Sequence, residues 1–327
     1  MAKPEYVVVS TMKNEGPYII DWVAHYKTLG FDHILVCTND CTDPTVDILL
    51  RLQEMGLVTQ HNTIVRRAGI HRSALRQASR RYDVVKDAKW VFVCDADEYL
   101  NVHMGDGSVR ALVEGSGDDA DVISVPWRIF GPDNVQDFVD EPVTTQFRKG
   151  EFAWDAELRP QTGKFVKSLY TNQHKFQRMG LHAPVSLEEH IADTKRVLPG
   201  GMDYVVHGER TEHPPLFTHA QVNHYALRSM SSFLIKRARG RANHSHHVLG
   251  LEYWNKFNLN DETDTTIDRY AEASGALAAE LKSDPALSEL HQKAVDWHQR
   301  KAASLMMDPE LDALVGPLRD SITASEA

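Results

Sequence analysis

Residues 90–100, Trp-Val-Phe-Val-Cys-Asp-Ala-Asp-Glu-Tyr-Leu, run from five apolar or aromatic side chains into three carboxylates, Asp95, Asp97 and Glu98, interrupted only by Ala96. Carboxylates this close repel one another and lose hydration when buried, unless a cation joins them. A hard divalent ion, Mn²⁺ or Mg²⁺, with its preference for oxygen ligands, suits that task. A solvated acidic turn after an ordinary strand is the bland reading, because short acidic motifs recur by chance. The apolar run has the length and character of a buried parallel strand. The acids then stand at its carboxyl end, the edge where open α/β sheets take their ligands.

Other elements must bring partners to that edge. Tyr6 to Ser10 reads as a strand, Pro17 to Leu29 as a helix stopped by Gly30, His33 to Thr38 as a second strand, and a turn at Asn39–Pro44 leads into a helix through Leu52. Val58 to Val65 reads as a third strand, Ser73 to Lys86 as an Arg- and Ala-rich helix, and Trp90 to Cys94 as the strand bearing the acids. This alternation predicts an α/β fold with a mostly parallel, Rossmann-like sheet and helices on both faces. Val122 to Ile129 and Leu216 to Val222 read as further strands, with irregular, loop-rich chain from Phe130 to about Arg196. Ser231 to Arg239, Thr265 to Lys282 and Ala286 to Met306 have helical spacing, and residues after about 318 read as a frayed tail. The expected organisation is a catalytic domain over residues 1–227 and a helical C-terminal extension over 228–327 packed on it.

The chain has 327 residues, 42% hydrophobic and 25% charged, ordinary for a globular protein. Its net charge of −10 argues against nucleic acid as a partner. No leader pattern opens it and no stretch of about 18 apolar residues occurs, so the expected location is cytoplasmic. Cys37, Cys41 and Cys94 are too few for a disulfide framework, and the first two lack the second pair that a zinc site needs.

Each strand of the first half ends in polar residues: Ser10, Thr11 and, beyond them, Asn14 and Glu15; then Asn39 and Asp40; Arg66 and Arg67; Asp95 and Asp97. In a parallel sheet these ends converge, and the set suits a nucleotide: Asn and Asp for a base, Arg for phosphate, acids with a metal for a diphosphate. Asn14-Glu15 and Asn39-Asp40 taken singly read equally well as turn and cap residues. No Gly-x-Gly-x-x-Gly follows the first strand and no Gly-x-x-x-x-Gly-Lys-Ser/Thr occurs, so a metal rather than a glycine-rich loop must neutralise the phosphates. That is the logic of nucleotide-sugar transfer.

The chain resembles glycosyltransferases of the GT-A fold, the family 2-like group and the related family 92. The resemblance is carried over about residues 5–240 by Lys13-Asn14-Glu15, Asp21-Trp22, His25-Tyr26, Gly30-Phe31-Asp32-His33, Asn39-Asp40-Cys41-Thr42-Asp43, Trp90 through Leu100, Pro126 through Gly131, Lys164-Phe165-Val166-Lys167, His182-Ala183-Pro184, Asn223-His224-Tyr225, Phe233 and Lys236. It implies an inverting, metal-dependent transfer from a UDP- or GDP-sugar to a hydroxyl of a glycan, lipid or small molecule. Asp95-Ala96-Asp97 would hold cation and diphosphate, Thr11, Glu15 and Asp40 would lie near the nucleoside, and His182 or His224 would complete the metal shell. The acid pair that supplies the base in ordinary family 2 enzymes has no clear counterpart, leaving Asp133, Asp155 and Glu157 as candidates. A nucleotidyltransferase acting on a sugar phosphate and a non-catalytic carbohydrate- or lipid-binding module are the competing readings.

Arg72, Arg76, Lys164 and Lys167 are further candidates for donor phosphates. Lys236-Arg237-Ala238-Arg239-Gly240-Arg241, ahead of His244, His246 and His247, is a basic segment in an acidic protein. It suits either closure over a diphosphate or peripheral contact with anionic lipid at the inner face of a membrane. Leu287, Leu290, Val295, Trp297 and Leu305 call for packing on the core or on a second subunit, hence an oligomer, rather than insertion in lipid.

Overall fold

The computed structural model describes residues 3–152, 165–171, 175–203, 206–207, 210–211, 217–240 and 249–323. The early strands form where expected: β1 (Tyr6–Met12), β2 (His33–Thr38), β3 (Val58–Asn62) and β4 (Trp90–Val93). They are mutually parallel in the order β3-β2-β1-β4, with Val9 beside Leu35 on one side and Val93 on the other. Both faces are covered, which is why these strands read as unbroken apolar runs. Val7, Val9, Leu35 and Cys37 pack against Ala74, Leu75 and Ala78 of the helix Ile70–Arg81. Val8, Ile34 and Val36 face the helices Ile19–Thr28 and Thr45–Glu54.

Beyond β4 the expected parallel order is modified. Immediately after the acids the chain forms β5 (Glu98–Val102), and later β6 (Val122–Ile129) and β7 (Val166–Thr171). β7 inserts between β4 and β6 and runs antiparallel to both. It lies inside the stretch read as irregular, because Lys167 and Ser168 break its apolar pattern. Both are nonetheless buried and satisfied: Lys167 by acids, Ser168 by the Ser124 hydroxyl at 3.0 Å. Two short strands, β8 (Arg196–Leu198) and β9 (Met202–Asp203), extend the far edge.

β10 spans Ala220–His224 rather than Leu216–Val222. It pairs antiparallel with β5 and parallel with β6, so Gln221 and Asn223 are fully buried between neighbours and an apolar-run reading misplaces the strand.

The second half supplies helices at Met230–Arg239, Leu251–Phe257, Ala271–Lys282, Pro285–Met306 and Asp312–Thr323. The last corrects the expected frayed tail: Leu318 is fully buried, Val315 and Ile322 nearly so, and Ser321 accepts a 2.9 Å hydrogen bond from the Trp254 indole. These helices share one apolar core with the first two helices of the chain. The helix Pro285–Met306 packs so closely behind the first strand end that a Cβ on Gly16 would stand 2.7 Å from that of Ala294. Among the described residues no helix is long and apolar enough to cross a membrane. None of the three cysteines is bonded to another.

Two outcomes follow from this packing. Leu318→Ala removes a fully buried side chain and should cost about 2–5 kcal/mol of unfolding free energy in a urea titration. A chain that loses nothing would contradict the assignment of this helix to the core. His25 is buried, with its Nε2 2.9 Å from the Leu100 carbonyl, and burial pushes its pKa down to about 4. The unfolded chain takes up this proton near pH 6.5. Its contribution to stability is therefore full above that pH and is lost as pH falls toward 4, by up to about 1.4 kcal/mol per pH unit. Thermal melts between those limits should fall less steeply for His25→Gln, which can keep the donor to Leu100.

Candidate active site

The carboxyl ends of β1, β2 and β4 open into a cleft of about 1300 Å³. Thr11, Glu15, Asn39, Arg72, Asp95, Ala96, Asp97, His182, His224 and Lys236 all line it. Asp95 and Asp97 are only partly covered and face this space, whereas Glu98 points inward and is fully buried.

Each acid meets a cation from a distant element. Lys167 of β7, fully buried, donates to Asp95 at 2.9 Å and lies 3.1 Å from Glu98 Oε2. The same Glu98 oxygen accepts the Asp95 backbone N–H at 2.8 Å, so Glu98 braces the acidic turn from below. Burial pushes Glu98 up to about 8, and the charges of Asp95 and Asp97 add to the shift against the opposing pull of Lys167. Burial works against a charge on Asp95 too, but Lys167 and His71 outweigh it and lower its pKa. Lys236 donates to Asp97 at 2.6 Å and His224 Nε2 lies 3.7 Å from the same oxygen. Against the cost of burial, Lys236, His224 and Arg228 hold Asp97 well below the usual carboxylate range.

Glu15 stands beside this cluster rather than free for a nucleoside. Arg228 donates to it at 2.8 Å and Arg239 also pairs with it. Arg228 additionally donates to the Ala96 carbonyl at 2.8 Å and lies 3.6 Å from the centre of the Tyr18 ring. Tyr18 bonds the Ser232 hydroxyl at 2.9 Å, and Ser232 lies 3.1 Å from His298 Nε2. The long C-terminal helix thus buttresses the acidic turn through three side chains. Asn14, with φ of +53°, accepts the Thr42 backbone N–H at 2.7 Å and ties two turns together.

A divalent cation fits part of this donor set. Asp97 Oδ2 and His224 Nε2 are close enough to share one ion. Burial lowers the pKa of His224 and so favours the neutral, ligating imidazole. Its Nδ1 is buried without a hydrogen-bond partner among the described residues, and its ring packs 4.2 Å from that of Trp127. No group of three or more His, Cys, Asp or Glu side chains is arranged for a metal among the described residues. One or two protein carboxylates completed by substrate phosphate and water are the usual Mg²⁺ arrangement, and Asp97 supplies one such carboxylate. His182 lines the same cleft and also packs on Trp127, with Nδ1 2.9 Å from the Val166 carbonyl.

Other expected residues lie elsewhere. Asp133 does not line the cleft and pairs with Lys149 at 2.8 Å. Arg66 and Arg76 are exposed and also outside the lining, as is Asp40. Lys167 lies beneath the cleft floor rather than in its lining. Asp155, Glu157, Lys164, Arg241 and the histidines at 244, 246 and 247 fall outside the described residues. The basic segment turns Lys236 and Arg239 inward, while Arg237 donates to the Leu249 carbonyl.

Sequence reasoning missed Arg228, His71 and Glu252, whereas Arg239 belongs to the basic segment expected to close over a diphosphate and does line the cleft. His71 lines the cleft and bonds the Thr11 hydroxyl at 2.8 Å. Of the four carboxylates in the lining, Glu15, Asp95 and Asp97 are ion-paired. Glu252 makes no ion pair among the described residues and is exposed to the cleft. Only the place of Glu252 in the cleft lining distinguishes it from a solvated helix acid, and no spacing rule reveals that.

Comparison with known proteins gives one extensive match. Residues 4–270 fit the model of glycosyltransferase family 92. Among solved structures, S. aureus TarS 1–349 is 12% identical, with 92% of this chain and 90% of that one covered and a TM-score of 0.34. The same protein in complex with UDP is 13% identical over the same shares, again with a TM-score of 0.34. HddC from Yersinia pseudotuberculosis is 9% identical, covering 60% of this chain and 90% of that one, with a TM-score of 0.32. No curated protein sequence matches. On the extent of the family match, and with an acidic strand end set in a polar cleft of an α/β sheet, the chain belongs to glycosyltransferase family 92.

Proposed function

We propose that this transferase is metal-dependent and inverting, and that it moves a sugar from a UDP- or GDP-linked donor to a hydroxyl of a glycan, lipid or small molecule. The observation that carries the reading is the convergence of Asp97, His224, Lys236 and Arg239 at one end of the sheet, inside a cleft large enough for a nucleotide sugar. Mn²⁺ or Mg²⁺ held by Asp97 and His224 would supply charge to a departing diphosphate. Lys236 and Arg239 border the same space and offer donors for phosphate oxygens. Glu98 and Lys167 keep the Asp-x-Asp turn in shape from beneath.

Inversion requires a base that takes the proton of the acceptor hydroxyl as its oxygen attacks the anomeric carbon and the bond to the diphosphate breaks. Glu252 is our candidate, because the other cleft carboxylates are already held by cations.

Two measurements test this. Asp97→Asn should lower Mn²⁺-supported turnover of a responsive nucleotide sugar about a hundredfold or more, assayed at a temperature where circular dichroism shows the variant still folded. Full turnover by the unaltered protein in the presence of a chelator would overturn the metal dependence. Glu252→Gln should lower kcat by about 10²–10⁴ with little change in donor KM. A variant with unaltered kcat returns the base to Asp155 or Glu157.

A further inference from the structure

A run of exposed arginines borders the cleft mouth and extends away from it over the outer surface. From Met55 to Tyr82 the sequence contains no Asp or Glu but six arginines, Arg66, Arg67, Arg72, Arg76, Arg80 and Arg81, in a protein of net charge −10. All six are exposed, and none makes an ion pair among the described residues. Asp40, at the end of the neighbouring strand β2, makes none with them either.

Their placement is ordered. On the helix Ile70–Arg81, Ala74, Leu75 and Ala78 are buried against the sheet. Arg72, Arg76 and Arg80 recur every four residues and form a row on the opposite, outer face. The loop before the helix is tied to it. Gln77 donates to the Ile64 carbonyl at 2.8 Å, Ser73 accepts from the Arg66 N–H at 2.9 Å, and Gly69, with φ of +87°, turns the chain back to place its N–H 3.0 Å from the Arg66 carbonyl. Arg66 and Arg67 are thus presented on the same rigid unit as the row. So are Ile64 and Val65, which are 48% and 45% exposed. Ala68, Ile70 and Arg72 of this unit line the mouth of the cleft.

We propose that the loop Ile64–Gly69 and the outer face of the helix Ile70–Arg81 dock on an anionic lipid bilayer, beside the cleft mouth. Five unneutralised guanidinium groups, Arg66 and Arg67 on the loop and Arg72, Arg76 and Arg80 on the helix, complement a surface of acidic head groups. Two adjacent exposed aliphatic side chains in the same loop, Ile64 and Val65, single out a bilayer, which can bury them, over a soluble polyanion, which cannot. This surface is distinct from the basic segment around Lys236, of which Lys236 and Arg239 turn into the cleft.

Flotation of the full chain with phosphatidylcholine vesicles, with and without about 30% phosphatidylglycerol, tests the proposal without any sugar donor. Binding is expected only with the acidic lipid and should weaken strongly at about 0.5 M salt. Arg76→Glu/Arg80→Glu should reduce it roughly tenfold or more. Ile64→Ser/Val65→Ser should reduce it several-fold. Arg300→Glu/Lys301→Glu, exposed on the helix Pro285–Met306 across the sheet, should leave it intact. Equal loss in all three variants, no preference for acidic lipid, or retention on heparin without vesicle binding would each overturn the proposal. Should a variant fail to fold, the lipid and salt dependence of the unaltered chain still decides.

Discussion

Everything at the cleft depends on neutralising carboxylates that are gathered at the strand ends. Glu15, Asp95, Asp97 and Glu98 approach one another closely enough to influence each other's ionisation. Removed from water without counter-charges, such a group would unfold the edge or take up protons. Lys167, Arg228, Lys236 and Arg239 answer it, and each arrives from an element added after the first four strands. The antiparallel insertion of β7 has its explanation here, since it carries Lys167 beneath the acidic turn between β4 and β6.

The pairing also sorts roles among similar side chains. Glu98 differs from Asp97 by one position but faces the core, contacts a backbone N–H and braces the turn. Asp97 faces the cleft within reach of an imidazole. Glu15 stabilises the arginines that border the cleft, and Arg228 in turn fixes the Ala96 carbonyl at the centre of the motif. The cleft is therefore polar and internally constrained before any ligand enters, the preorganisation that charge-transfer chemistry requires.

How much of this is legible in the sequence depends on where each residue finds its partner. β1 to β4 are legible because their burial on both faces leaves unbroken apolar runs between turn residues. β7 and β10 are not, since Lys167, Ser168 and Gln221 look like surface residues until long-range partners satisfy them, and Asn223 until its strand is buried between β5 and β6. The helix Asp312–Thr323 was hidden by its polar outer face, although Leu318 and Trp254 show where it docks. In the cleft, the acids announce themselves through adjacency. Arg228 does not, because the residue it holds, Glu15, lies 213 positions away. Lys236 was visible as part of a basic run, but its inward turn was not. The expected arginines divided similarly, with Arg72 at the cleft mouth and Arg66 and Arg76 on the outer surface.

The link from the helix Pro285–Met306 through His298 and Ser232 to Tyr18 has a consequence for the order of events at the ribosome. Synthesis at about 5–20 residues per second delivers the acidic strand ends well before Arg228, Lys236 and His298. During that interval the nascent sheet carries carboxylates without most of their cations, so its first-made half cannot settle at the edge that later forms the cleft. Closure waits for the long C-terminal helix to fit against Gly16, whose missing side chain leaves room for Ala294. A competent cleft is thereby made conditional on synthesis through the helix Pro285–Met306, and a chain released before it would lack an assembled site.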